Sequence, residues 1–293
     1  MTEPKKLLAF FFILLPFASS MNAEEEERDF KRELFTSIGA KAEKMTEKVY
    51  SNGNMTSELV WADTVDAVFD VSLDLNFCGA FADLGFSAGV PLKSGTLEDS
   101  DFSGESRTHF SEHSIVIDRN FAVSARCGYE FQFWKVSLAP FIGFEYRTTK
   151  FSARDGQFEY PDESGDLCGI VLDYEQEFFV PQLGVKFSLT QNDWRFLVDF
   201  AFHPFVRINT TDSHFLRSVQ FYDTFKNCLG YSFDVGVRRG NFFAKSGIRM
   251  IFEKEGETSS CNIGKSDNSF IESKDISSGF KDIYYTGSIG WIF

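Results

Sequence analysis

Val65-Asp66-Ala67-Val68-Phe69-Asp70-Val71-Ser72-Leu73-Asp74-Leu75-Asn76-Phe77 places an apolar residue at every odd position and a polar one at every even position but Val68. Successive side chains of an extended chain point to opposite faces. The stretch therefore reads as a strand with one apolar and one acidic face. The scheme recurs along the chain. Trp134, Val136, Leu138, Ile142, Phe144 and Tyr146 alternate with Lys135, Ser137, Ala139 and Glu145. Trp194, Phe196, Val198, Phe200, Phe202 and Val206 alternate with Arg195, Asp199, Ala201, His203 and Arg207. Tyr231, Phe233, Val235 and Val237 alternate with Ser232, Asp234, Gly236 and Arg238. Charges at alternate positions in so many aromatic-rich strands point to a lipid-facing exterior around a polar lumen. A soluble sandwich, the competing architecture, has no reason to oppose long aromatic runs with Asp and Arg so often.

The alternation predicts ten strands, near 38–50, 58–77, 80–92, 114–131, 134–151, 171–189, 194–208, 222–238, 242–253 and 281–293. Connections near Cys78, Phe133, Gln191 and Gly240 are tight, whereas 51–57, 93–113, 152–170, 209–221 and 254–280 are longer and polar. Short turns on one side and long loops on the other, with an even strand number, describe an all-β, ten-stranded antiparallel transmembrane β-barrel. Its termini and short turns face the periplasm, and its long loops face the outside of the cell.

The ends of the chain agree with export. Lys5 and Lys6 precede an apolar run, Leu7 to Phe17, followed by small residues and then Glu24–Glu27. This reads as a signal peptide over 1–23, cut near Ser20 or Ala23, with 24–293 as the barrel domain. A retained amphipathic anchor is the alternative. No later run reaches the roughly 20 apolar residues of a membrane helix, yet 36 of 293 residues are Phe. Tyr285, Ile289, Trp291 and Phe293 share one face of a final strand, in the manner of bacterial outer-membrane proteins. Five cysteines (Cys78, Cys127, Cys168, Cys228, Cys261) show no C-x-x-C spacing, and a bridge between the polar positions Cys168 and Cys261 is conceivable. Net charge is −14, and losing residues 1–23, with one acid and two lysines, makes it −15. Such a surface repels nucleic acid and attracts cationic partners.

Three spots on the long-loop side carry chemistry. Glu98-Asp99-Ser100-Asp101-Phe102 lies in the second long connection, Asn209-Thr210-Thr211-Asp212-Ser213-His214 in the fourth, and Thr46-Glu47-Lys48-Val49-Tyr50 ends the first strand. In extended chain Asp99 shares a face with Asp101, and Asp212 with His214. Hydrolysis of a peptide at neutral pH needs an activated water and a stabilised oxyanion. His214 can take the proton of the water, Asp212 can orient the imidazole, and repulsion within the Asp99–Asp101 pair favours one retained proton. The same four side chains are also conceivable hard-cation ligands, though their spacing demands no metal.

Order and spacing of these residues along ten strands resemble the omptin family of outer-membrane endopeptidases, from about Phe35 to Phe293. Ser37-Ile38-Gly39, Thr46–Tyr50, Phe151-Ser152-Ala153-Arg154 and Tyr174-Glu175-Gln176-Glu177-Phe178 with Pro181 carry the likeness. The resemblance implies catalysis by Asp99, Asp101, Asp212 and His214, through a water held between the two pairs and without an acyl-enzyme. It also implies cleavage next to basic residues of peptides or proteins, with Glu47 as one acid of the binding pocket. Where the family often has a second acid, this chain has Thr210, so Glu47 is expected to be the main anion. No cofactor is implied beyond dependence on lipopolysaccharide, and the arginine with which the family holds that lipid is replaced here by Glu177. A monomer in the outer membrane, with its site facing outwards, is the expectation. Two other readings stay open. One is a catalytically weak barrel of the same fold that acts as an adhesin or receptor for cationic host proteins. The other is a porin, which the charged, narrow lumen of ten strands disfavours.

Overall fold

The computed structural model describes residues 30–262 and 271–293, so the expected signal peptide and part of the 254–280 connection lie outside the described residues. Twelve strands form one antiparallel sheet: β1 (Phe30–Ser51), β2 (Asn54–Phe77), β3 (Ala80–Lys93), β4 (Thr96–Ser103), β5 (Ser106–Tyr129), β6 (Phe131–Phe133), β7 (Val136–Glu159), β8 (Ser164–Gln191), β9 (Trp194–His214), β10 (Val219–Arg239), β11 (Phe242–Asn262) and β12 (Ile271–Ile292). β3 and β4 each pair with both β2 and β5, so they are the lower and upper halves of one stave. β6 only extends the lower edge of β7. Ten staves result, as the alternation predicts. β1 pairs with β12 from Phe35↔Ile292 to Ser51↔Ile276, which closes the ring. A closed barrel satisfies every backbone N–H and C=O within the sheet, the condition for crossing hydrocarbon with strands.

The strands are far longer than the sequence reading allows. Most of 93–113, 152–170 and 209–221, expected as loops, is paired strand, and these hairpins turn at 104–105, 160–163 and 215–218. The reason is an inversion of polarity along each stave. In the lower half Ile38, Phe69, Phe200 and Ile289 face outwards and exposed, while Lys41 and Glu43 are buried in the lumen. In the upper half Lys44, Glu98 and Glu112 are exposed, and Met45, Leu59, Trp61, Leu97, Ile115, Phe151, Phe178, Phe225 and Phe280 fill the interior. β8 shows the switch within one strand. Its outward positions read Asp173, Glu175 and Glu177, then Phe179 and Leu183, against buried Tyr174, Gln176, Phe178 and Val180. The outside of the barrel meets lipid below that level and water above it. Tight two-residue turns appear at both ends: Asn52-Gly53 (φ 51° and 78°) above and Cys78-Gly79 (φ 50° and 87°) below. Both central residues have positive φ, the requirement of the hairpin turn that matches strand twist. Cys168 on β8 and Cys261 on β11 form no disulfide.

Between the two halves a layer of buried ion pairs spans the lumen. Arg147 on β7 bonds Glu43 on β1 at 3.0 Å and Asp282 on β12, and Lys41 meets Glu43 at 2.8 Å. Arg249 on β11 is paired with Glu145. The guanidinium of Arg147 lies 3.9 Å from the centre of the Phe178 ring, which belongs to the apolar packing above. Residues higher up are therefore separated from the lower lumen by packed charge and then by packed hydrocarbon. Arg147→Met would strand the carboxylates of Glu43 and Asp282 in the interior, a loss of about 3–5 kcal/mol. Urea titration of the detergent-folded barrel should show a clearly lower midpoint for this variant. The triple change R147M with E43Q and D282N should recover most of the difference.

Candidate active site

The upper ends of β4 and β9 stand on different walls of the barrel, above the lipid-facing belt. On β9, simple alternation from Trp194 would turn Asp212 and His214 outwards. The structure places the correction at Phe205, which has φ 57° and adds one residue to β9 between its pairs Phe202↔Leu183 and Arg207↔Phe179. Beyond this bulge the phase is reversed, and Val206, Ile208, Thr210 and Asp212 are all buried. A bulge is thus the device that aims the site inwards.

His214 Nε2 lies 2.7 Å from Asp212 Oδ2. A carboxylate only accepts hydrogen bonds, so Nε2 carries the proton and Nδ1 keeps a free lone pair. The edge of the ring rests on Phe221, 5.4 Å between centroids. Burial opposes charge on His214, but the hydrogen bond and charge of Asp212 outweigh it, and the His214 pKa is raised above its usual value. Asp99 and Asp101 share a face of β4 and are partly buried. Ser57 Oγ donates to Asp99 Oδ1 at 3.4 Å, and Arg217, on the turn after β9, reaches Asp101 at 3.7 Å. Burial and then repulsion by Asp101 push the Asp99 carboxyl up to about 6, against the pull of His214 and Arg217. The two pairs therefore sense one another across the cleft. All four residues singled out from sequence meet at one place.

Two further residues were not singled out. Ser111 on β5 is the register partner of Asp99. Its hydroxyl is 2.9 Å from His113 Nε2, and His113 Nδ1 is 2.8 Å from the Asp155 carbonyl. That carbonyl takes the Nδ1 proton, so Nε2 accepts from Ser111, and the remaining Ser111 lone pairs are free to accept from a protonated carboxyl. The signal was a Ser-x-His in extended chain, within a stretch expected to be mostly loop.

Below the Asp212–His214 pair is an acidic recess. Glu47 projects into it from β1, Thr210 from β9, and Tyr174 and Gln176 from β8; all are buried. Trp61 stacks on Tyr174, with centroids 5.1 Å apart, and forms one wall. Glu47, the expected main anion, has a second acid near it. Asp223 on β10 is the register partner of Thr210, accepts its hydroxyl at 3.2 Å and that of Ser278 at 2.9 Å, and stands beside Glu47. Its place on the inner face was concealed by the bulges on β9 and β10. Among the described residues no group of three or more His, Cys, Asp or Glu side chains converges as metal ligands. Glu177 points outwards at the lipid–water level, with the Tyr146 hydroxyl donating to it at 2.7 Å.

Three comparisons with known proteins bear on this arrangement. The family model described as the Omptin family matches residues 31–293. The plasminogen activator of Yersinia pestis is 25% identical over 139 residues, covering 44% of this chain and 44% of that protein, so the match spans less than half of the relative. The outer membrane protease OmpT from Escherichia coli superposes with a TM-score of 0.80, covering 94% of this chain and 99% of that one at 17% identity, a likeness of fold.

The geometry predicts that His214 titrates above its ordinary value of about 6.5, and that Asp212→Asn removes the cause. In histidine NMR of the folded barrel, the resonance lost in His214→Ala should show its midpoint above that value. Asp212→Asn should move the midpoint down. An unchanged midpoint would mean that the 2.7 Å contact does not hold the imidazolium.

Proposed function

The chain belongs to the omptin family of outer-membrane proteases, and from that membership we propose that it is an endopeptidase that cuts exposed peptides next to basic residues with a water activated by His214. The Asp212–His214 pair facing Asp99 across an open rim is the observation that carries this reading. The water would lie between His214 and the Asp99–Asp101 pair. His214 Nδ1 takes its proton as the oxygen bonds to the scissile carbonyl carbon. Asp212 holds the tautomer and stabilises the imidazolium. A protonated Asp99 donates to the carbonyl oxygen, and developing negative charge is neutralised where it forms. The imidazolium then passes its proton to the departing amine, Asp99 recovers its own, and no covalent intermediate is formed.

The recess one layer below the pair, with the buried acid Glu47, supports the preference for a basic residue before the scissile bond. Glu177, in place of a lipid-holding arginine, supports activity that does not require lipopolysaccharide at that position. Exposed Glu98 and Glu112 on the upper wall also favour the second reading, a barrel that binds cationic proteins without cutting them.

General-base catalysis contributes about 10²–10⁴-fold. His214→Ala should lose that much activity on a dibasic peptide while the variant still shows the heat-modifiable mobility of a folded barrel. Because a pair acting as a unit is non-additive, adding Asp212→Asn to His214→Ala should cost little more. Near-normal cleavage by folded His214→Ala would rule this mechanism out. Glu47→Gln should depress cleavage after Arg or Lys by about 2–5 kcal/mol in transition-state energy, and far less after neutral residues. Equal losses on both would make Glu47 structural.

A further inference from the structure

The recess below the catalytic pair contains an acid that lies outside the Asp–Asp and Asp–His motifs. Asp223 and Glu47 are both almost fully buried, and among the described residues neither is in a salt bridge. Elsewhere Glu43 and Asp282 are neutralised by Arg147 and Glu145 by Arg249, whereas among the described residues no cation pairs with Glu47 or Asp223. Thr210 and Ser278 each donate one hydroxyl to Asp223, which leaves its charge uncompensated. Glu47 Oε2 makes no hydrogen bond. Gln176, wholly buried and register partner of Thr210, has both ends of its amide unpaired. A carboxylate oxygen on β1 and an amide on β8, buried and unpaired on opposite walls, are donors and acceptors prepared for something that enters from the cleft.

We propose that Asp223, with Glu47, is the specificity-determining anion pair of this recess, and that it receives the guanidinium or ammonium end of a substrate side chain. The acid that the β9 position 210 lacks is supplied from β10, one register step across the sheet. Thr210 then acts as a positioning residue, its hydroxyl fixing the Asp223 carboxylate. This inference rests on the protease reading for its substrate but not for its ligand, which is any cation of that shape.

A consequence follows for protons. The charged or titratable groups facing the pair are Asp212 from β9 and Tyr174 from β8; β2 contributes Leu59 and Trp61, and β12 contributes Ser278 and Phe280. No cation faces it. Burial first, and then the charges of Asp223 and Asp212, raise Glu47; burial and then Asp212 raise Asp223 against the hydrogen bonds of Thr258, Ser278 and Thr210. A cation that reaches these raised carboxyls competes with protons for them. Binding must weaken as pH falls, because acid supplies the competing proton.

The test uses agmatine, a small guanidinium compound, with the full refolded chain in detergent, titrated calorimetrically in buffers of different ionisation enthalpy. The unmutated chain should bind it with release of about one proton and more weakly at lower pH. Asp223→Asn should bind about 30-fold more weakly or worse, without proton release, and Thr210→Asp added to Asp223→Asn should restore affinity. Equal binding by Asp223→Asn, or no binding by the unmutated chain, would overturn the assignment. Peptide cleavage separates the two claims. If agmatine binding depends on Asp223 but no peptide is cut, the recess stands and the protease reading falls. If Asp223→Asn cuts after arginine as well as the unmutated chain does, the assignment falls and the protease reading stands.

Discussion

A polypeptide that crosses hydrocarbon has to satisfy each backbone N–H and C=O within itself, and here the pairing of β1 with β12 over Phe35↔Ile292 to Ser51↔Ile276 completes that condition. Without that seam two strand edges would lie open in lipid. Everything else in the fold is built on the closed ring. Because the ring is narrow, its interior has to be packed, and it is packed twice. Ion pairs centred on Arg147 span the middle of the lumen, and an apolar layer from Met45 to Phe280 fills the part above. Chemistry is left one location, the rim above that apolar layer.

The rim site depends on departures from regular strand geometry. The left-handed Phe205 shifts the phase of β9 by one residue, so that the strand that shows Phe200 and Phe202 to lipid shows Thr210 and Asp212 to the interior. On the opposite wall the break between β3 and β4, at residues 94–95, lets a fresh strand carry Asp99 and Asp101. Rigid sheet on both sides fixes the facing pairs without a mobile loop. The low dielectric around them raises the Asp99 carboxyl and the two acids below, while His214 is raised against it by the hydrogen bond and charge of Asp212.

Much of this was legible in the chain. Strict alternation at 65–77 and 194–203 carried the barrel and its ten staves, since lipid outside and charge inside leave an unmistakable period of two. Asp-x-Asp and Asp-x-His carried the four candidate catalytic residues. Three things were not legible, each for a physical reason. Where the outside becomes water, as along Glu98–Glu112, apolar residues turn inwards and the strand resembles a polar loop. A positive φ at Phe205 leaves no compositional mark, because left-handed turns usually belong to Gly or Asn. Asp223 acquires meaning only from its neighbour across the sheet, Thr210, and register between strands is not written in either one alone.

The central claim is that a water, and no side chain of the protein, attacks the scissile carbonyl between Asp99 and His214. Mass spectrometry of a dibasic peptide cut by the refolded protein in the presence of hydroxylamine tests it most directly. Two fragments whose new C-terminus is a free carboxylate, with no hydroxamate at any hydroxylamine concentration, are the result the structure predicts. A hydroxamate at the cut site would reveal an acyl-enzyme and contradict the account, as would an intact peptide.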